Sequence, residues 1–333
     1  MPRLRRVSAA SSGWRRRRAG RGFAYTDESG SPLSATDVAR IRALAIPPAW
    51  RDVWICPHPN GHLQATGVDA AGRRQYLYHP AWRTMRDTAK FARVASAAQR
   101  LPVVRRVVAD DLSRSGMPVE RATAVAFQLL DLGSFRIGSD VYADKNGSFG
   151  LTTLERRHVR RAGDAMVFSF VGKSGISHAI TIEDRQAITA LETMRRRRDG
   201  GTKLLAYRNG SGWSELSSTA VNAYLADLFR TDFTAKDFRT WHATVLAATS
   251  LAGTDEPGRT KASRKRAIRA AVVEVADYLG NTPAVAKASY IDPRVLDAYD
   301  SGTTIEAAAR ETYPEPELRR AALEAAVLDL VDT

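Results

Sequence analysis

The chain has 333 residues, 44% of them hydrophobic, and a formal net charge of +14 at pH 7, so it can form one large core or two smaller ones. A single cysteine, Cys56, excludes a disulfide framework and any site that needs several cysteines. No apolar run approaches the roughly 20 residues of a membrane span, and no apolar segment follows the first arginines as in a secretory signal, so we expect a cytoplasmic protein without a membrane partner.

Positive charge is concentrated near one end of the chain and negative charge near the other. Residues 1–22 contain eight arginines and no acidic residue, whereas residues 295–333 contain nine acidic residues and three arginines. A basic body with a basic arm is typical of proteins that bind polyanions. Charge alone does not distinguish DNA from RNA or from an anionic membrane, and a solvated charged face is an alternative explanation for any single run.

The N-terminal quarter of the chain predicts a basic arm followed by a small β-rich domain. Residues 1–22 are polar and aperiodic, which favours a disordered arm. Residues 53–78 alternate in polarity around turns at Asn60-Gly61 and Ala71-Gly72, a pattern typical of antiparallel strands. We therefore assign residues 23–88 to a β-rich N-terminal domain.

Residues 89–333 have mainly helical periodicity and predict a second, mainly α-helical domain, so the fold class is α+β. Two hairpins are expected to interrupt the helices. The first turns at residues 145–147, and the second turns at residues 172–175, which places Lys173 at a hairpin tip. After residue 184 we expect only helices, including one that Gly280 ends.

Familiar cofactor motifs do not occur in the sequence. There is no P-loop, no glycine-rich dinucleotide motif after a strand, no His-Glu-x-x-His and no Cys-x-x-Cys. The six histidines show no spacing typical of metal ligands. The sequence therefore predicts an activity that needs no ATP, no metal and no other cofactor. Only eight of the 50 basic residues are lysines, which draws attention to Lys173 and Lys236 as positions where an ammonium group is needed.

Five segments together form a specific pattern. They are Gly72-Arg73-Arg74-Gln75-Tyr76-Leu77-Tyr78; Phe135-Arg136-Ile137-Gly138 with Gly150-Leu151-Thr152-Thr153-Leu154; Val171-Gly172-Lys173-Ser174-Gly175; Lys236-Asp237-Phe238-Arg239-Thr240-Trp241-His242; and Tyr278-Leu279-Gly280-Asn281-Thr282-Pro283 followed by Ser289-Tyr290. Their order resembles the short, poxvirus-like type IB DNA topoisomerases of bacteria, members of the tyrosine recombinase and topoisomerase IB superfamily, over roughly residues 20–300. One segment alone would be weak evidence, whereas five in the same order are strong.

The resemblance implies a catalytic role for five residues in the helical domain. Tyr290 is the expected nucleophile and forms a 3′-phosphotyrosine. Arg136 and Arg239 are expected to stabilise the charge of the pentacoordinate phosphate, because a guanidinium group can bond two phosphate oxygens at once. Lys173 is the expected general acid for the departing 5′-oxygen. Asn281 stands where most relatives have histidine, and its amide can donate a hydrogen bond but cannot carry a proton.

The resemblance also suggests residues that contact DNA. Gln75, Tyr76 and Tyr78 lie in the segment that looks like the family's DNA-contacting strand, so the β-rich domain is expected to bind DNA. Tyr76 and Tyr78 share one face of a strand, which Gln75 does not. Lys236 stands three residues before Arg239, where tyrosine recombinases usually have histidine, and we assign it to DNA binding. His242 is expected to be a packed helix residue and not a catalyst.

These features predict a DNA topoisomerase that acts as a monomer, clamps duplex DNA between its two domains and relaxes supercoils of either sign. Two alternatives stay open at this point. A tyrosine recombinase would share the fold and the chemistry but would act as a tetramer, and a noncatalytic DNA-binding protein could have kept the fold alone. If closing around DNA orders the site, the catalytic residues should be found apart in the free protein.

Overall fold

The computed structural model of the protein describes residues 3–198, 201–210, 212–253 and 260–332. Its contacts separate the chain into two compact units, residues 1–90 and residues 91–333. The first unit is rich in β-strands and the second is mostly helical, which confirms the predicted α+β class with a small β-rich N-terminal region.

The first unit contains a five-stranded antiparallel sheet with the strand order β2-β1-β3-β4-β5. Its elements are β1 (Trp14–Ala19), β2 (Gly22–Thr26), α1 (Ala35–Ala43), β3 (Arg51–Ile55), β4 (Leu63–Val68) and β5 (Arg74–Tyr78). Alternate residues of the sheet face a small apolar core that includes Ile41, Val53, Ile55 and Ala65. The turns predicted at Asn60-Gly61 and Ala71-Gly72 connect β3 to β4 and β4 to β5.

The disordered arm predicted for residues 1–22 is wrong, because Trp14–Ala19 forms β1 between β2 and β3. Composition misled the prediction, since four consecutive arginines looked uniformly solvated. In a strand they alternate, and Arg16 turns inward to donate hydrogen bonds to the carbonyl oxygens of Ile46, Pro47 and Trp50 at 3.2, 3.1 and 2.6 Å. Its guanidinium carbon also lies 4.1 Å from the ring centroid of Phe23.

The second unit consists mainly of helices around a core formed by α4, α8 and their neighbours. The helices are α2 (Pro80–Ala98), which contains the boundary between the units, α3 (Leu101–Ser113), α4 (Val119–Leu132), α5 (Asp140–Asn146), α6 (Arg185–Arg196), α7 (Ser218–Phe229), α8 (Ala235–Ala252), α9 (Lys261–Leu279), α10 (Pro283–Ser289), α11 (Pro293–Asp300), α12 (Glu306–Arg310) and α13 (Pro316–Asp332). Most residues of α4 and α8 are buried, so side chains on these two helices are held firmly. Within the described parts of the chain, no helix has both the length and the hydropathy to cross a bilayer.

Two small antiparallel sheets accompany these helices. One has the order β6-β7-β8 and consists of β6 (Val159–Ala162), β7 (Ala165–Val171) and β8 (Ser177–Ile182). It contains the hairpin that the sequence predicted around Lys173, which is therefore confirmed. The other is a hairpin of β9 (Ala206–Asn209) and β10 (Gly212–Glu215).

Two sequence predictions for this unit are wrong. Residues 145–147 do not form a hairpin, because Gly147 ends α5 with φ +56°. A hairpin turn and a helix C-cap both need a left-handed residue, so an Asn-Gly pair cannot distinguish them. The region after residue 184 is not entirely helical either. A second Asn-Gly pair, Asn209-Gly210, lies at the turn after β9, in a β-hairpin where only helices were expected. Gly210 has φ +59°.

Candidate active site

Arg239 lies on the buried side of α8, which begins at a capping box formed by Thr234 and Asp237. Its side chain is only 2% exposed, and it donates hydrogen bonds to the carbonyl oxygens of Ser134 and Leu279 at 2.5 and 2.8 Å. Burial, and then the charge of Arg136, lower the pKa of Arg239 to about 10. Within the described chain its Nε has no hydrogen-bond partner. The guanidinium is therefore anchored at both Nη atoms, and its Nε–H has no partner among the described residues.

Arg136 follows α4 in a loop whose backbone packs directly on another loop. A Cβ added at Gly150 would lie 2.6 Å from Cα of Gly138 and 2.7 Å from the carbonyl oxygen of Arg136, so only glycine fits there. This contact explains why the Arg136 and Gly150 segments occur together in the sequence pattern. Burial lowers the pKa of the half-buried Arg136 guanidinium, and the neighbouring Tyr290 opposes the shift.

Asn281 is held next to Arg136 by the end of α9. The helix stops at Gly280, which has φ +58° as a left-handed cap, and the chain then turns back. Nη2 of Arg136 donates to the carbonyl oxygen of Gly280 at 3.0 Å and to Oδ1 of Asn281 at 2.9 Å. The bond to Oδ1 orients the amide, and Nδ2 is buried without a partner among the described residues. Asn281 thus has free donors and an occupied acceptor.

Tyr290 caps the C-terminus of α10. Its ring centroid lies 5.5 Å from the guanidinium carbon of Arg239, and its carbonyl oxygen accepts a hydrogen bond from Thr244 on α8 at 3.4 Å. Burial alone would raise the pKa of the Tyr290 phenol. The positive charges of Arg239, Lys236 and Arg136 outweigh burial and lower this pKa, which favours the phenolate.

The four residues Arg136, Arg239, Asn281 and Tyr290 are therefore neighbours in the helical unit. Lys173 is separate from them. It is exposed in a short 3₁₀ turn at the tip of the β7–β8 hairpin, where Ser174 has φ +65°. In the described part of the chain, none of the hydrogen bonds joins its ammonium to the other four residues.

His178 is a neighbour of the site that the sequence analysis did not single out. It lies on β8 opposite Phe170 of β7, and the two rings stack with centroids 5.2 Å apart. Burial, and then the charges of Arg136 and Arg239, lower the pKa of His178. The four-residue turn predicted over residues 172–175 would have paired residue 178 with Ser169 on the exposed side of β7. The observed connection is one residue longer and pairs it with Phe170 on the buried side, so the sequence carried no signal for His178. His242, by contrast, is packed among helices as expected, and burial lowers its pKa to about 4.

The predicted DNA contacts lie on β5 in the first unit. Tyr76 and Tyr78 are 50% and 37% exposed on the same face, with parallel rings 6.2 Å apart. Gln75 is on the other face, and its Nε2 donates to Asp69 at 2.8 Å. The register aligns Arg15 of β1 with Tyr76 through the residues of β3 and β4 between them. The exposed face therefore combines two tyrosines with arginines that were predicted to be disordered.

Comparison with known proteins gives two matches to family models and several relatives. Residues 79–312 match a model described as eukaryotic DNA topoisomerase I, catalytic core, and residues 22–69 match bacterial DNA topoisomerase IB, N-terminal domain. The chain is 28% identical to DNA topoisomerase 1B of Acanthamoeba polyphaga mimivirus over 83% of its own length and 84% of the relative's. It is 21% identical to DNA topoisomerase 1B of vaccinia virus strain Copenhagen, over 75% and 76% of the two chains. It is 22% identical to DNA topoisomerase 1 of rabbit fibroma virus, over 69% and 70%.

Proposed function

The chain belongs to the eukaryotic DNA topoisomerase I family and is a type IB DNA topoisomerase, an isomerase; from this premise we propose that it relaxes positive and negative supercoils by cutting and resealing one DNA strand. The arrangement of Arg136, Arg239, Asn281 and Tyr290 is the observation that carries the proposal. The helical core places three groups with positive charge or free donors around one phenol. A phenol in such surroundings is suited to attack a phosphodiester.

Cleavage begins when Tyr290 attacks the scissile phosphorus through its phenolic oxygen. The lowered pKa of Tyr290 makes loss of its proton easier, and the phenolate is the stronger nucleophile. As the new P–O bond forms, the bond to the 5′-oxygen breaks, and the 3′-phosphate becomes attached to Tyr290. The 5′-hydroxyl end can then attack this linkage and reverse the reaction. Because the phosphotyrosine retains the energy of the broken bond, resealing requires no ATP.

Arg136, Arg239 and Asn281 stabilise the charge that develops on the nonbridging oxygens. Arg239 offers its free Nε, and Asn281 offers the free hydrogens of Nδ2. Both are held by hydrogen bonds within the protein, so little reorganisation is needed in the transition state. Burying the charged guanidinium groups of Arg136 and Arg239 costs solvation free energy. For this reason burial lowers the pKa of both arginines.

Lys173 protonates the departing 5′-oxygen. An ammonium suits this role because lysine gives up a proton far more easily than arginine does. Its exposed position at a hairpin tip allows it to reach into a groove of the bound duplex.

We further propose that the protein acts as a monomer, that Tyr76 and Tyr78 contact the duplex, and that Lys236 contributes to DNA binding beside Tyr290. Gln75 is a weaker candidate, because its amide already bonds Asp69.

The direct test is relaxation of negatively and positively supercoiled plasmid with EDTA present and ATP absent. Wild type should relax both, and Tyr290→Phe should bind DNA and relax neither. Tyr278→Phe is a matched control, because Tyr278 is another tyrosine whose pKa responds to Arg239. If wild type binds plasmid but relaxes neither form, the proposed function is wrong. If relaxation persists in Tyr290→Phe, the assignment of the nucleophile is wrong.

A further inference from the structure

We infer that His178 is a positioning residue that holds the Lys173 hairpin against the turn containing Asn281. The inference rests on the proposed function, because it takes Lys173 as the general acid. It concerns a residue that belongs to none of the five catalytic positions and that acts through its neighbours.

The imidazole of His178 is wedged between two glycines, each next to a proposed catalytic residue. A Cβ added at Gly172, which precedes Lys173, would lie 2.7 Å from Cδ2 of His178. A Cβ added at Gly280, which precedes Asn281, would lie 3.0 Å from Cε1 of the same ring. Real Cβ atoms do not approach ring atoms as closely as the first of these distances, so the ring occupies space that only glycines leave open.

The other side of the ring is packed on an aromatic row that leads to Arg136. His178 stacks on Phe170 at 5.2 Å with an interplanar angle of 22°, and Phe170 stacks on Phe135 at 6.0 Å and 10°. Phe135 is buried and immediately precedes Arg136. The row therefore connects the loop of Arg136, the strands of the hairpin and the turn of Asn281. Packing of this kind restrains three loops at once, because each ring contacts the next.

The hairpin tip needs such a restraint. Beyond β7 and β8 the chain is exposed from Lys173 to Ser177, and Ser174 and Gly175 both have positive φ. Two backbone hydrogen bonds close the turn, from Gly172 N to the Ile176 oxygen at 2.7 Å and from Gly175 N to the Gly172 oxygen at 3.2 Å. These bonds set the shape of the turn but not its position relative to Asn281. The ring of His178 packs against Gly172 in the turn and Gly280 immediately before Asn281, and it thereby sets that position.

The alternative is that His178 only stabilises the fold. A general effect on folding would slow every substrate equally, so the test must separate proton donation from the rest of catalysis. The duplex used carries one 5′-bridging sulfur at a cleavage position mapped beforehand with wild type. When Tyr290 attacks, the P–S bond breaks and a thiolate leaves. A thiol has a pKa of about 8.5, far below that of an alcohol, so the thiolate departs without a proton donor.

Single-turnover cleavage rates are measured on the sulfur and oxygen duplexes for wild type and four variants. His178→Ala removes the imidazole ring, and Gly172→Ala places a methyl group in the space that the ring occupies. Lys173→Ala removes the proposed acid. Ile180→Ala is the matched control, because Ile180 is a half-buried residue on the same face of β8, two residues farther from the tip. Thermal unfolding of each variant reports whether it folds.

We expect His178→Ala and Gly172→Ala to cleave the oxygen duplex about 10- to 100-fold more slowly than wild type, because small displacements of catalytic groups have effects of this size. On the sulfur duplex both should approach the wild-type rate, as should Lys173→Ala. Ile180→Ala should lose little on either duplex.

The outcomes that would contradict the role of His178 differ from those that would contradict the role of Lys173. If Lys173→Ala is rescued by sulfur but His178→Ala and Gly172→Ala are equally slow on both duplexes, the inference is wrong and Lys173 keeps its role. Normal rates for His178→Ala on both duplexes would overturn the inference in the same way. If Lys173→Ala is equally slow on both duplexes, the general acid has been misassigned, and the inference is overturned together with that part of the proposed function.

Discussion

Two regions of the site differ in how their side chains are held. One is the cluster of Arg136, Arg239, Asn281 and Tyr290, and the other is the exposed tip of the Lys173 hairpin. In the cluster, Arg136 and Arg239 donate hydrogen bonds to backbone oxygens or to Asn281, and Nε of Arg239 and Nδ2 of Asn281 have no partner within the described chain. At the tip, Lys173 is exposed, and its backbone is held by the turn and by the packing of His178 beneath it. Charge stabilisation gains from groups that are fixed before the substrate arrives. Proton donation instead requires an ammonium that can enter the DNA.

Exchanging the two kinds of cation is the strongest way to test this comparison. Lys173→Arg keeps a positive charge at the tip but removes a proton that can be transferred, since arginine does not deprotonate in proteins. We expect cleavage to slow by about 10²- to 10⁴-fold, with no change in the melting temperature because the side chain is exposed. Single-turnover kinetics and thermal unfolding measure the two effects. Near wild-type cleavage by Lys173→Arg would show that the tip supplies charge and not a proton.

Arg239→Ala should differ in that it affects both rate and stability. Loss of one transition-state donor costs about 10²- to 10³-fold in rate. The carbonyl oxygens of Ser134 and Leu279 would also lose their donors, and leaving such buried groups unpaired costs about 1–3 kcal/mol of the free energy of unfolding. Arg239→Lys should recover little of the rate, because an ammonium cannot replace the planar fork. Urea unfolding that is unchanged in Arg239→Ala would contradict the anchoring described here.

Acid should lower the free energy of unfolding through His242, which lies on the same helix as Arg239. His242 lies three residues after Arg239 on α8, and burial lowers its pKa to about 4 from an ordinary 6.5, although the carboxylates of Asp131 and Glu324 oppose the shift. Between these values the unfolded chain binds the proton and the folded chain does not, so stability falls as pH falls from 6.5 to 4. We expect this histidine to account for about 2–3 kcal/mol over that range.

The measurement is urea unfolding at a series of pH values for wild type and His242→Gln. The variant should show a shallower loss of stability between pH 6.5 and 4. Charges that face this histidine from other helices, Arg105 and Arg320, already pair with Asp131, so they are present in both proteins. An identical slope in the two proteins would contradict the assignment.

The smallest effect is expected from a substitution in the first unit, outside the cluster and the hairpin tip, and it concerns DNA affinity. Arg15→Ala removes one charge from the face that carries Tyr76 and Tyr78. Binding to duplex DNA should weaken modestly, and the slope of log K against log salt should decrease by about 0.9 if one phosphate contact is lost. Arg18→Ala is the control, because Arg18 is also exposed on β1 but points to the opposite face. Equal changes in the two variants would mean that net charge, and not this face, determines binding.

The sequence predicted which residues lie near one another better than it predicted local structure. The order of the five segments singled out Tyr290 and both arginines, which the structure brings together, because each proposed role requires one residue type, which a motif preserves. The same reasoning predicted the Lys173 hairpin and the Gly280 cap, where turn chemistry allows few residues. The four-residue arginine run was misread because its composition is polar throughout, although the run pairs with β2 across the short turn at residues 20–21. His178 was missed because its role depends on a contact with Gly280, about one hundred residues later, which no local pattern encodes.

The central claim is that Tyr290 becomes covalently attached to DNA. Cleavage of a duplex stopped with detergent should leave the 3′-phosphate of the cut strand on the protein. Trypsin then releases residues 288–294, which contain both Ser289 and Tyr290, and fragmentation in a mass spectrometer distinguishes them. The account predicts a nucleotide adduct on Tyr290 and none in Tyr290→Phe. An adduct on Ser289 or on another peptide, or a 5′-phosphate linkage, would contradict it.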